Sequence, residues 1–273
     1  ARTTRLIQAW QACQVWHDPF GCRLPLPMRV PGVPAISLLP PAPQASPQTI
    51  QYWSQGQPPP DVLALSEKWN VLLSELGLNR IQWFDRSSAR DWISKHARDF
   101  LLPFDTSFHY TVESDIIRLA YASRCNCLYL DADLTPDFSS KSALKAILEA
   151  PGSTLYIRTV RPTLSPCFFL ARQGCPFVAL VARSGARVDF RRFPKTANTI
   201  MNIFGPDKYT YCLRHLVSTN KGPLSIVRLA PGLIQLRAKH FSVNLVNDEV
   251  VSAVNPAELI YKQTDQHWIR VFG

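Results

Sequence analysis

Apolar residues recur along this chain with two different periods, and the alternation between them points to a fold. Val62, Leu65, Trp69, Leu72, Leu73 and Leu76 fall at helical spacing behind Asp61, a good capping residue, and the pattern stops at Gly77. Arg80–Phe84 then reads as a short strand. Ser88 and Asp91 have capping-box spacing for a helix carrying Trp92, Ile93 and Ala97. A third helix is predicted over Glu113–Ala122. It feeds Cys127-Leu128-Tyr129-Leu130, an uninterrupted apolar run of the kind found in buried strands. Ser140 begins another helix (Leu144, Ile147, Leu148), and Thr154–Ile157 is the next strand. The last third is strand-rich, with Leu224–Leu229, Leu233–Arg237 and Phe241–Val246. Helices alternating with short apolar strands predict an α/β fold built on a sheet.

Proline divides the chain. Twelve of the 23 prolines lie in residues 1–60, where each removes a backbone donor and fixes φ, so helices keep being broken between Pro25 and Pro60. Residues 1–46 are therefore expected to be a proline-rich segment packed on, or linking to, a domain spanning 47–273. Thr4–Trp16 within it could form one helix, and Trp10, Trp16 and Phe20 favour packing over disorder. With 46% hydrophobic and 18% charged residues in 273, the chain has material for a core, which excludes wholesale disorder and collagen-like or small disulfide scaffolds. Its longest apolar run, Cys175–Ala182, falls far below the ~20 residues of a membrane helix. The chain begins at Ala1 and no signal peptide is readable, so a soluble domain is expected. The seven cysteines show no paired CxxC spacing and read as reduced thiols. The net charge of +10 attracts anions generally, without choosing between nucleic acid, a nucleotide, an acidic protein and a membrane surface.

Chemistry concentrates at Leu128-Tyr129-Leu130-Asp131-Ala132-Asp133-Leu134-Thr135-Pro136. Two carboxylates one residue apart leave a buried strand, and the end of a sheet strand is where open α/β folds place ligands. Mg²⁺ and Mn²⁺ prefer carboxylate oxygen and are commonly held by one or two carboxylates plus substrate phosphates. In the preceding helix, Asp115 and Arg118 are three residues apart and share a face. Alone, that pair is an ordinary intrahelical ion pair.

Together, Glu113-Ser114-Asp115-Ile116-Ile117-Arg118 and, ten residues on, Tyr129-Leu130-Asp131-Ala132-Asp133 resemble the glycosyltransferases with a sugar-binding region containing a DXD motif. That family includes initiating mannosyltransferases of yeast outer chains, glucosyltransferase domains of clostridial cytotoxins, and bacterial effectors. Thr49-Ile50-Gln51-Tyr52-Trp53 is similar to its first strand, Cys167–Ala171 and Pro176-Phe177 to later elements, Gly205-Pro206 to a helix start, and His267-Trp268 to its closing tryptophan. The resemblance implies a glycosyltransferase-A-like, Rossmann-like mixed sheet flanked by helices. It also implies a metal-dependent, retaining hexosyl- or N-acetylhexosaminyltransferase that uses a nucleotide-sugar donor, UDP-linked by preference, with Mn²⁺ or Mg²⁺. Carried over by residue, Trp53 stacks on the base, Tyr129 lies near the donor, and Asp115 and Arg118 grip the sugar. Asp131 faces the ribose or sugar, Asp133 and Asp131 ligate the metal with help from Gln266 or His267, Trp268 closes over the diphosphate, and Asp131, Asp133 and Arg118 are the expected catalytic residues.

Three departures stand out. Arg124-Cys125-Asn126-Cys127 replaces the family's Gly-Gly turn, so Asn126 is expected in the left-handed conformation. Ser165-Pro166 stands where relatives often carry Asn, and Asp265-Gln266-His267 where many carry Ser. The expected acceptor is a protein, acidic or membrane-associated, and the expected setting a secreted bacterial effector or toxin. A Golgi enzyme stripped of its anchor is the other setting. The rival reading is a catalytically silent basic module for nucleic acid or anionic lipid, built on Arg183, Arg187, Arg191, Arg192 and Lys195 with Phe190 and Phe193 stacking on bases.

Overall fold

The structure is a computed structural model. It describes residues 46–136, 139, 141–157, 164–220, 222–230, 233–247, 251–253, 259 and 262. The proline-rich segment and Asp265–Trp268 lie outside them.

The chain first lays down β1 (Gln48–Tyr52), α1 (Pro60–Glu75), β2 (Gln82–Phe84), α2 (Arg86–His96), α3 (Leu101–Asp105), α4 (Tyr110–Ala122) and β3 (Cys127–Leu130). There follow β4 (Leu134–Pro136), α5 (Lys141–Glu149), β5 (Ser153–Ile157), β6 (Leu164–Ala171), α6 (Pro176–Gly185), α7 (Ala197–Ile203) and α8 (Pro206–Thr219). The strands β7 (Ser225–Ala230), β8 (Leu233–Arg237), β9 (Ser242–Val246) and β10 (Val251–Ala253) complete the series. Eight strands form one sheet in the order β2-β1-β3-β6-β5-β9-β8-β7, and β4 pairs with β10 beside it. β1 is parallel to both β2 and β3, whereas β6 is antiparallel to β3 and β5. The mixed helix-flanked sheet and strand-rich last third are thus as expected.

β3 is buried along its whole length because helices cover both of its faces. Leu128 and Leu130 turn to one side, joining Trp69, Leu72 and Leu73 of α1, Leu144 and Ile147 of α5, and Phe168 and Leu170 of β6. Trp69 Nε1 donates to the Leu134 carbonyl at 2.9 Å, locking α1 over the segment that carries the acidic pair. Tyr129 alternates to the other side, where Arg118 of α4 lies over its ring. On β6, Phe169 meets Tyr209 of α8 edge-on at 5.6 Å, and Phe177 of α6 lies 6.2 Å from the same ring.

Several boundaries differ from the sequence reading for local reasons. The helix assigned to Ser88 and Asp91 starts one turn earlier. Asp85 is its N-cap, accepting from the Ser88 N–H at 2.7 Å, while Ser88 Oγ accepts from the Asp85 N–H at 3.0 Å. α1 is capped by Pro59, with Asp61 in its first turn. Helix α4 begins three residues before the predicted start, because His109 Nδ1 accepts from the Thr111 N–H at 3.2 Å. Asn126 does not take positive φ. Among the described non-glycine residues only Arg187 does. Asn126 works through hydrogen bonds instead: its carbonyl accepts from the Gln48 N–H at 3.2 Å and its side-chain oxygen from the Gln173 N–H at 2.8 Å. It thereby ties the start of β1 and the end of β6 to the turn before β3.

Candidate functional site

Leaving β1, the chain crosses through α1 to β2 on one side. It then returns through α2–α4 to β3 on the other, so β1 and β3 flank a reversal of strand order. In open α/β sheets, ligands bind outside the carboxyl ends of the strands at such a point. Tyr52 and Trp53 end β1 there, and Asp131 follows β3. Register agrees: Ile50 pairs with Tyr129, so Tyr52 comes opposite Asp131.

Arg118 is the centre of this region. Its Nη1 lies 3.0 Å from Asp115 Oδ1 and its Nη2 3.0 Å from Asp131 Oδ1. The guanidinium carbon sits 4.2 Å from the centroid of the Tyr129 ring. The Tyr129 hydroxyl in turn shares a 2.7 Å hydrogen bond with Ser114 Oγ. The side chains of Arg118 and Asp115 are only 4% and 7% exposed, against 32% for Asp131, so Asp131 is the member that faces outward. Burial raises the Asp115 pKa to about 7; Arg118 opposes the rise and Asp131 adds to it. Asp131 is also raised, by burial first, with Arg118 pulling down and Asp133 pushing up. For Arg118, burial disfavours the charge, but Asp131 and Asp115 more than restore it. The result is a guanidinium that stays charged between two carboxylates competing for it.

Asp133 has a cation of its own. The Lys262 ammonium forms an ion pair with its Oδ2, and the two side chains are 9% and 20% exposed. Lys262 and Tyr209 are residues that motif reasoning missed, and Glu113 entered it only as part of a motif, with no role of its own. Tyr209 has a buried hydroxyl with no hydrogen-bond partner among the described residues, and Arg118 and Asp115 lead the charges acting on it. Glu113, five residues before Arg118, binds Tyr52 at 2.6 Å, Ser54 at 2.8 Å and Arg86 at 2.8 Å while almost wholly buried. Nothing local marked Lys262, because its partner is 129 residues away.

Of the predicted site residues, the fold brings Asp115, Arg118, Tyr129, Asp131 and Asp133 together, with half-buried Trp53 at the end of the neighbouring strand. Gln266, His267 and Trp268 lie outside the described residues. For a divalent cation the candidate protein ligands among the described residues are then Asp131 and Asp133. Among the described residues, no group of three His, Cys, Asp or Glu side chains is arranged to hold a metal. Two carboxylates with substrate phosphates can suffice for Mg²⁺ or Mn²⁺. Here, however, each already carries a protein cation, and an ion at Asp133 must share that carboxylate with the Lys262 ammonium or expel it. Among the described residues, a divalent ion there competes with Arg118 and Lys262 for the two carboxylates.

The basic stretch after α6 is not a stacking platform at both aromatics. Phe190 is 2% exposed, its ring 5.8 Å from those of Phe108 and Phe204, and Phe193 alone is open. Arg191 and Arg192 pair with Asp189, and Arg187 with Asp99. No described helix is long and apolar enough to cross a membrane.

Fold and site together define an α/β protein with a buried Asp–Arg–Asp bridge where its strand order reverses. No protein-family model matches the sequence, and no curated protein matches it. Solved structures do match. One, titled PaToxG Glycosyltransferase, is 13% identical, covering 67% of this chain and 73% of that one with a TM-score of 0.44.

Proposed function

We propose that the crevice between β1 and β3 binds a nucleotide-diphosphate sugar, UDP-linked by preference, and that the chain transfers the sugar to an acceptor. The observation that carries this reading is the Asp115–Arg118–Asp131 bridge stacked on Tyr129 at the strand ends. It keeps one carboxylate, Asp131, presented at the rim in a single orientation, as a group that must accept ribose or sugar hydroxyls requires. Arg118 is too deeply buried to meet the donor broadly. Its role here is to position Asp131. Trp53, at the end of β1, offers a ring for the base.

In the transfer, the bond from the anomeric carbon to the diphosphate oxygen breaks, and its electron pair leaves with the diphosphate. The acceptor hydroxyl oxygen bonds to the anomeric carbon from the same face, giving retention, and its proton passes to the departing phosphate oxygen. The products are the glycosylated acceptor and a nucleoside diphosphate. A charged group at Asp133 stabilises the leaving group as negative charge develops. The acceptor of this proposal is a protein side chain, in the setting of a secreted effector or toxin.

Double replacement of Asp131 and Asp133 with Ala abolishes donor hydrolysis on this reading, measured by mass spectrometry with a panel of nucleotide sugars. Undiminished turnover in that variant refutes the assignment.

A further inference from the structure

Each carboxylate of the acidic pair is matched to a side-chain cation from a different part of the chain, Arg118 on Asp131 and Lys262 on Asp133. The Lys262 N–H donates to the Leu259 carbonyl at 3.1 Å, and Leu259 is itself buried. The Lys262 side chain, 9% exposed, points its ammonium at the Asp133 carboxylate.

We infer that Lys262 is the cation of the donor site, its ammonium meeting the diphosphate of a nucleotide-linked donor where a divalent ion would otherwise serve. This rests on reading the crevice as a nucleotide-sugar site. An ammonium group has three N–H donors. Asp133 takes one, leaving two for phosphate oxygens. Its charge is compact and strongly localised, suited to a diphosphate as a point charge. A divalent ion arriving at Asp133 either strands a largely buried ammonium without its partner or sits against it at repulsive distance. Both weaken ion binding. Lys262 therefore acts as a catalytic residue. As the bond to the anomeric carbon breaks and the acceptor proton moves to the departing oxygen, its N–H groups stabilise the growing negative charge.

The test uses the full chain, with Lys262→Ala and the charge-keeping Lys262→Arg. Binding of UDP, GDP, ADP, CDP and TDP is followed by calorimetry, and Mn²⁺ binding by loss of the free-ion paramagnetic resonance signal. Hydrolysis of the matching nucleotide sugar is measured in EDTA and in Mn²⁺. The wild type is expected to bind a nucleoside diphosphate and hydrolyse its sugar equally in both buffers, without taking up Mn²⁺ on its own. Lys262→Ala is expected to lose about a hundredfold in turnover in EDTA. It should also gain Mn²⁺ binding, because Asp133 is uncovered, and recover part of its turnover with that ion. Lys262→Arg should keep charge at Asp133 and take up no Mn²⁺, so an Ala variant that fails to fold leaves the inference testable. A wild type silent in EDTA, beside an Ala or Arg variant with wild-type turnover in Mn²⁺, overturns Lys262 as the cation and leaves the nucleotide-sugar reading standing. If no nucleoside diphosphate binds in either buffer, both fall.

Discussion

Replacing Arg118 with Met tests the bridge, since it keeps an unbranched side chain of similar reach and deletes the charge. In the native protein two carboxylates lie 3.0 Å from one guanidinium, and both charges of the Arg118–Asp115 pair are almost wholly buried. Breaking a buried ion pair from one side costs about 3–5 kcal/mol. Two features push this case to the lower bound. Asp115 already has a pKa of about 7, so without Arg118 it takes up a proton instead of remaining charged. Asp131 keeps 32% exposure and can be rehydrated. Loss of the cation over Tyr129 adds about 1 kcal/mol, which a methionine sulfur against the ring partly recovers. The expected net is about 3 kcal/mol, or a fall in Tm of about 6–12 °C for a domain of this size. Thermal unfolding followed by circular dichroism at pH 7 measures it. The same measurement on Asp131→Asn and on the double variant gives the coupling, and an effect of Arg118→Met that shrinks when Asp131 is already Asn is the signature of a shared bridge. A fall of under 2 °C, or strict additivity, refutes the claim that Arg118 holds the site together.

Two further predictions follow from neighbouring groups. Asp115 holds its proton more tightly in the folded chain, at about 7, than its ordinary 3.8, so protonation favours the folded state. Its contribution is complete below pH 4 and lost as pH rises to 7, with a ceiling of about 4 kcal/mol. The difference in Tm between wild type and Asp115→Asn should therefore move against the wild type across that window and level off above it; a flat difference removes the buried carboxylate from the account. Glu113→Gln deletes the charge that binds Arg86 while keeping an acceptor for Tyr52 and Ser54. It is expected to cost about 1–3 kcal/mol in urea unfolding and to raise the donor KM through the end of β1 more than it lowers kcat. An unchanged KM disconnects that anchor from the crevice.

Local pattern made most of the scaffold readable. Cys127–Leu130 has the boundaries its apolar run suggested, because a strand covered on both faces must be apolar throughout. Leu233–Arg237 also has its expected boundaries, although it carries Gln235 and ends on exposed Arg237. Ser88 misled because it takes part in a genuine capping box, but as the third residue of the helix and not as its cap. The chemistry separated along the same line. Asp115, Arg118, Tyr129 and Asp131 lie within one helix-turn-strand unit, so their spacing in sequence is nearly their spacing in space. Glu113 was quoted as part of a motif, but its partners arrive from β1 and α2, and no periodicity carries that information. Lys262 is the extreme case, one lysine among many basic residues until the fold sets it on Asp133.

The ion pair between residues 133 and 262 also fixes when Asp133 can gain its cation. The ribosome delivers Asp115, Arg118, Asp131 and Asp133 more than a hundred residues before the lysine that completes them. Contacts so far apart in sequence form late, since the intervening loop must close before they repay anything. A chain emerging during synthesis thus carries its acidic pair half neutralised until residue 262 has emerged.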